Sequence, residues 1–222
     1  MTLETIELHP PAEPQASIIV LHGLGADGTD FLPLADEIDL AAIGPVRWVF
    51  PRAPVRPVTI NNGMRMRAWY DILAADLVRR EDEGGLRESA AAVQRLVARE
   101  VARGVPARRV VLGGFSQGCA ITLLAGLRHA ERLAGLVGMS GYLPLAGQTA
   151  AEQSTANADV PIFLAHGRHD GVVPLARGAA SRDALQALGH DVEWHEYPME
   201  HSVCAEEVDA LQRWLLRVLA AA

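Results

Sequence analysis

One stretch constrains this chain more than any other. Residues 109–120 read Arg-Val-Val-Leu-Gly-Gly-Phe-Ser-Gln-Gly-Cys-Ala. A β-branched apolar run ends in Gly-x-Ser-x-Gly, and a helix-like stretch follows. That order predicts a strand, a sharp turn carrying Ser116, and a helix. Backbone segments must approach closely on both sides of such a turn. The positions two before and two after the serine must therefore be small, and Gly114 and Gly118 meet that need.

Around this stretch, apolar runs alternate with helical patterns. Residues 17–21, 46–50, 109–115, 133–139 and 160–165 read as buried strands. Residues 191–197 alternate like a strand nearer an edge, and residues 2–8 as a strand pairing antiparallel at the other edge. Residues 85–103 place Leu86, Ala90, Val93, Leu96, Val97 and Val101 at helical spacing, and Gly104 closes that helix. Helices are also expected over 117–129, 175–188 and 205–219. Strands alternating with helices predict an α/β fold: a mostly parallel central sheet with helices on both faces. In such sheets, sites form beyond the carboxyl ends of the strands. Two stretches interrupt the rhythm, residues 51–63 and 144–159, and both read as surface excursions.

Bulk properties narrow the class. With 222 residues, the chain suits one well-filled core, so a single domain over 1–222 is expected. The formal net charge is −7, without a concentrated basic face, which speaks against nucleic acid as partner. No apolar run long enough to cross a membrane occurs, and the N-terminus lacks a signal-peptide pattern. Only two cysteines are present, Cys119 and Cys204, so a disulfide framework is not expected and a cytoplasmic location fits. Both read as small packing residues. Association into a homodimer stays open.

Strand, Gly-x-Ser-x-Gly, helix is the nucleophile elbow of α/β-hydrolases, in which serine, acid and histidine follow in that chain order. A serine hydroxyl is a weak nucleophile until a neighbouring base takes its proton. Among the aspartates after Ser116, Asp159 and Asp191 precede strands and Asp183 lies within a helix. Asp170, just beyond the 160–165 strand, is left. Among the later histidines, His190 precedes the last strand and His195 lies inside it. His201 follows it, in the loop where the base belongs. Two backbone N–H donors must face the developing oxyanion. Gln117, next after the serine, supplies one. Leu24, in the glycine-rich loop His22-Gly23-Leu24-Gly25-Ala26-Asp27-Gly28, supplies the other. That loop lacks the spacing of nucleotide-binding motifs. His22 and His166 read as hydrogen-bonded structural residues. His166 and His169 beside Asp170 have no second ligand pair, so no metal is expected. Trp69 and Met66 are candidates for the wall of a substrate pocket, the alternative being ordinary core.

Together these segments resemble the carboxylesterase/acyl-protein thioesterase (lysophospholipase-like) family of α/β-hydrolases. The likeness is carried by Leu21-His22-Gly23-Leu24-Gly25, by Gly113 to Gly118, by His166-Gly167-x-x-Asp170-x-Val172-Val173-Pro174 and by His201. Trp69-Tyr70-Asp71 and Met139-Ser140-Gly141-Tyr142 add to it. The resemblance implies cofactor-free hydrolysis of carboxylic esters or thioesters, with Ser116, Asp170 and His201 as the triad and a small ester or acylated molecule as substrate. A serine peptidase on the same fold and a non-catalytic binding module are the competing readings. Two positions depart from the family pattern, which commonly has glycine where this chain has Cys119 and Glu200. Cys119 is expected to crowd the elbow helix slightly. Glu200 is expected to place a carboxylate beside the base and favour its protonated form.

Overall fold

The computed structural model describes residues 2–74 and 80–221. In chain order its strands are β1 (Thr5–Leu8), β2 (Ala16–Leu21), β3 (Val46–Pro51), β4 (Val55–Val58), β5 (Met64–Arg67), β6 (Val110–Phe115), β7 (Gly135–Met139), β8 (Ile162–Gly167) and β9 (Val192–Tyr197). The α-helices are α1 (Leu32–Glu37), α2 (Glu83–Ala102), α3 (Gln117–Leu127), α4 (Ala146–Glu152), α5 (Leu175–Ala187) and α6 (Ala205–Ala220). Seven strands form one sheet in the order β1-β3-β2-β6-β7-β8-β9. β1 runs antiparallel to β3, and every other pairing is parallel. This is the mostly parallel sheet that the alternating pattern predicts, with residues 5–8 at the antiparallel edge.

The period-2 alternation of a strand explains how one sheet serves two cores. In β2, Ile19 and Leu21 point to one side and Ile18 and Val20 to the other. The first side packs on α2, α3 and α5 through Leu86, Val93, Ile121, Leu124 and Leu185. The second packs on α1 and α6 through Leu34, Val208, Leu211, Trp214 and Leu215. α3 is buried along its whole length, which explains its uniformly apolar sequence. α2 is amphipathic, begins where Asp82 accepts a hydrogen bond from Gly85 N–H, and is followed by Gly104 in the left-handed region.

The 51–63 excursion differs from the expectation. Its end pairs with the segment after it as a two-stranded hairpin, β4 with β5. These strands are short, and β4 contains Pro57, which an edge position tolerates but which weakens a strand signal in the sequence. α1 and α4 are likewise too short to give a periodic pattern.

One buried carboxyl group stands apart. Glu207, in the first turn of α6, is fully buried, and among the described residues both carboxylate oxygens lack a hydrogen bond of normal geometry. Burial pushes its carboxyl up to about 8, with only the Cys204 backbone opposing. An acid whose pKa rises on folding binds more protons in the native state, so stability falls as pH climbs from the unfolded value of 4.5 through about 8. Glu207→Gln removes that dependence. The variant and the parent should melt together near pH 4.5. By pH 8.5 the variant should melt higher by roughly 5–10 °C, the Tm equivalent of a few kcal/mol. Parallel melting curves at all pH values would contradict the burial argument.

Candidate active site

Ser116 stands between β6 and α3 with φ 57° and ψ −117°. A non-glycine residue there stores about 1–3 kcal/mol of backbone strain. The conformation is held because the neighbouring backbones leave no alternative. A Cβ on Gly114 would lie 2.3 Å from the Gly118 carbonyl, and one on Gly118 would lie 2.2 Å from the Leu21 carbonyl oxygen. Ser116 N–H donates to the Met139 carbonyl at 2.9 Å, tying the turn to β7.

The loops after β6, β8 and β9 leave from the same edge of the sheet, and three side chains meet there. His201 Nε2 lies 2.9 Å from Ser116 Oγ, and His201 Nδ1 lies 2.7 Å from Asp170 Oδ2. A carboxylate only accepts, so Nδ1 carries the proton and Nε2 faces the serine hydroxyl as acceptor. Asp170 is itself fixed: Oδ1 accepts from Val172 N–H at 2.9 Å and from Val173 N–H at 2.8 Å. Its side chain is buried, so this charge acts on His201 with little screening. His166 donates through Nε2 to the Val173 carbonyl at 2.8 Å and packs against the acid, a structural hydrogen-bonding role. Phe115 covers His201 with ring centres 4.7 Å apart.

The alternatives for the base lie elsewhere. His195 pairs with Glu193 at 2.9 Å and stacks on Tyr197. His190 bonds Gln153 before β9, at the other end of that strand. Among the described residues no group of His, Cys, Asp and Glu could hold a metal ion.

Leu24 and Gln117 flank the serine. Among the described residues neither of their backbone N–H groups has a protein acceptor. Gln117 opens α3, where N–H groups lack helical partners, and the end of the helix dipole favours negative charge. Gly23 lies against Ser116, with a built Cβ at 3.3 Å from the serine Cβ.

Two cavities reach Ser116, of about 560 and 400 Å³, and they share Leu24 and Val172. The first runs past His201, Phe31, Phe115 and Val203. The second runs past Ile60, Ile72, Tyr70, Tyr142 and Pro174. Val172 stands 64% exposed at their junction, an apolar side chain on both cavities beside Ser116. Trp69 and Met66, the sequence candidates for a pocket wall, line neither cavity. Trp69 is fully buried, and its indole N–H is satisfied there by the His22 carbonyl at 2.8 Å. Met66 lies beside Gly25 and accepts a hydrogen bond from Asn61. The walls come from residues on the segments after β2, β3, β7, β8 and β9, with Phe115 at the end of β6. Tyr70, Phe115, Tyr142, Val172, Val173 and Pro174 belong to the motif segments, whereas Phe31, Ile60, Ile72 and Val203 lie outside them.

The two departures from the family pattern have different fates. Cys119 fits because Gly138 and Gly141 face it. Burial pushes its thiol up to about 12, so it stays protonated and inert. Glu200 is exposed, and its side chain makes no hydrogen bond or ion pair among the described residues. Its backbone carbonyl packs on Gly167 and helps place the histidine loop. Solvent around this exposed carboxylate screens its charge and weakens its hold on His201.

Comparison with known proteins identifies the family. The family model described as Phospholipase/Carboxylesterase matches residues 4–219. The chain is 40% identical over 215 residues to acyl-protein thioesterase 1 of Yarrowia lipolytica, covering 95% of each. It is 37% identical to the protein of the same name from Schizosaccharomyces pombe, covering 98% of this chain and 97% of that one. The crystal structure of Zea mays acyl-protein thioesterase 2 superposes with a TM-score of 0.85 at 33% identity, covering 97% and 99% of the two chains. A carboxylesterase from Bacillus cereus, at 19% identity and a TM-score of 0.78, shares the fold. With nearly the whole length matched and the fold held in common, the chain belongs to the phospholipase/carboxylesterase family of α/β-hydrolases.

Proposed function

We propose that this protein hydrolyses carboxylic esters or thioesters through an acyl-enzyme formed on Ser116, with His201 as base and Asp170 as its orienting acid. The observation that carries the reading is the continuous bridge of 2.9 Å and 2.7 Å from serine hydroxyl through imidazole to buried carboxylate. His201 Nε2 takes the hydroxyl proton as Oγ attacks the acyl carbon. The oxyanion is held by Leu24 and Gln117 N–H. The imidazolium, stabilised by Asp170, returns its proton to the departing alcohol or thiol. Water then attacks the acyl-enzyme by the same route and frees the acid.

His201 lines only the larger cavity. The leaving group must meet its proton there, so the acyl chain takes the other lobe, between Ile60, Ile72 and Pro174. An S-acylated substrate follows from the relatives named acyl-protein thioesterase. The proposal includes a cytoplasmic setting, consistent with two free cysteines, and a single domain. It needs no second copy, because one chain supplies the whole triad; a homodimer is checked by light scattering. Among the described residues no helix is long and apolar enough to cross a membrane.

The test is turnover of p-nitrophenyl esters and matched thioesters of graded acyl length, beside a peptide amide. Esters and thioesters should be cleaved and the amide left intact; amide cleavage would favour the peptidase reading. Asp170→Asn should lower kcat about 10⁴-fold, because the amide stabilises the wrong imidazole tautomer. His201→Ala should cost at least as much, whereas His195→Ala should stay within a factor of about two. An equal loss in His195→Ala would overturn the choice of base. A chelator should leave turnover unchanged, and recovery of a chelator-inhibited enzyme by zinc would sink the triad mechanism.

A further inference from the structure

The loop that follows β2 is held by hydrogen bonds whose directions leave no freedom. Ala53 N–H donates to His22 Nε2 at 3.0 Å. A backbone N–H only donates, so Nε2 is bare and the single ring proton sits on Nδ1. Nδ1–H donates to the Gly23 carbonyl oxygen at 2.7 Å, where Ala26 N–H is a weaker second donor at 3.4 Å. The His22 ring is fully buried, and burial pushes its imidazole below the ordinary histidine range, in keeping with this neutral tautomer. Trp69 indole N–H holds the His22 carbonyl. The Gln117 side chain in turn grips the backbone around Trp69, accepting from Trp69 N–H and donating to the Tyr70 carbonyl, both at 3.0 Å.

The Gly23 carbonyl and the Leu24 N–H belong to one planar trans peptide, in which they point in opposite directions. Fixing the oxygen on the His22 ring therefore fixes where the Leu24 N–H points. We infer that His22 is a positioning residue for the oxyanion hole: its Nδ1–H, through the Gly23 carbonyl, aims the Leu24 N–H, while Trp69 and the Gln117 side chain lock that loop to the elbow bearing the second donor. The inference rests on the reading of Leu24 and Gln117 as oxyanion donors. It adds that a side chain touching neither substrate nor nucleophile sets the direction of one of them.

Two substitutions separate the two ring nitrogens. His22→Asn places an amide N–H near the Nδ1 position and keeps a donor for Gly23, but loses the acceptor for Ala53. His22→Gln reaches the Nε2 position and keeps that acceptor, but loses the donor to Gly23. The readouts are kcat and KM on a soluble p-nitrophenyl ester, and the Ki of a short alkyl boronic acid, whose tetrahedral serine adduct places an oxygen in the oxyanion hole. His22→Gln should lower kcat about 10²-fold with KM nearly unchanged, as when an oxyanion donor is lost. The boronic acid should weaken in proportion to kcat/KM. His22→Asn should stay within about tenfold of the parent on both measures. A purely structural histidine would lower the Tm of both variants while leaving kcat per folded molecule and boronate affinity alike. Equal kcat in the two variants, or undiminished boronate affinity in His22→Gln, would overturn the inference. Should His22→Gln not fold, Trp69→Phe removes the donor to the His22 carbonyl while keeping an aromatic ring beside His22. It should lower kcat and boronate affinity together by about tenfold, and no change in either would overturn the proposal. Ser116→Ala separates the two levels. An active Ser116→Ala defeats the site reading itself, whereas an inactive one with equal Asn and Gln variants defeats only the role of His22.

Discussion

Ser116→Ala is expected to lower kcat by about 10⁶-fold and to leave the protein folded. The change removes one oxygen and nothing else. Alanine at φ 57° carries the same backbone strain as serine, and the N–H bond to the Met139 carbonyl is untouched. What is lost is the hydrogen bond to His201, about 1 kcal/mol, which shifts Tm by roughly 2–4 °C in a chain of this size. The residual rate, supplied by substrate binding and the oxyanion donors, should still exceed that in buffer. Turnover, thermal melting and labelling with a fluorophosphonate check the three parts of this expectation together. A folded variant that keeps near-parent activity would show that the elbow carries no chemistry.

Gly118→Ala should do the most damage to the fold for a single methyl group. Its Cβ would lie 2.2 Å from the Leu21 carbonyl oxygen and 2.8 Å from the His22 carbonyl oxygen. Both are backbone atoms, so neither can swing aside as a side-chain end would. α3 has to move away from the end of β2, and α3 is buried along its whole length. The cost should reach about 3 kcal/mol, or roughly 6–12 °C in Tm. Because α3 begins at the residue after Ser116, the same displacement misaligns the nucleophile and one oxyanion donor. An error of about 1 Å there costs on the order of 10²-fold in kcat. Gly147→Ala is the control, since that position in α4 has open space around it and helix propensity favours alanine there by up to about 1 kcal/mol. If Gly118→Ala melted with the parent while Gly147→Ala did not, the close approach of elbow and strand would be disproved.

Features that depend on local chemistry were readable before any coordinates. The sheet's strands announce themselves through apolar runs of β-branched residues, and α2 through its spacing and its closing Gly104. Ser116, Asp170 and His201 could be chosen because each had to follow a strand and appear in a set order, and this left few candidates. The Glu200 carboxylate shows where such reasoning stops. Adjacency in sequence to His201 says nothing of solvent exposure, and this carboxylate is exposed, where water weakens its field. Trp69 shows the opposite error. A large aromatic near a site suggests a pocket wall, yet the apolar ring is buried in the core, where the His22 carbonyl satisfies its N–H.

By itself, the sequence determined the class of fold and singled out Ser116, Asp170 and His201 as the candidate triad, because these follow from periodicity and from the covalent needs of a sharp strand-to-helix turn. Only the tertiary structure decided what surrounds them. The cavity walls come from Phe31, Ile60, Ile72, Tyr142 and Val172, residues far apart in the chain that the loops beyond the strand ends bring together. The tautomer of His22 depends on Ala53, 31 positions away, and the grip on Trp69 depends on Gln117, 48 positions away. Hydrogen-bond direction and cavity shape are properties of groups in space. No local pattern encodes them until the sheet has set which strand ends are neighbours.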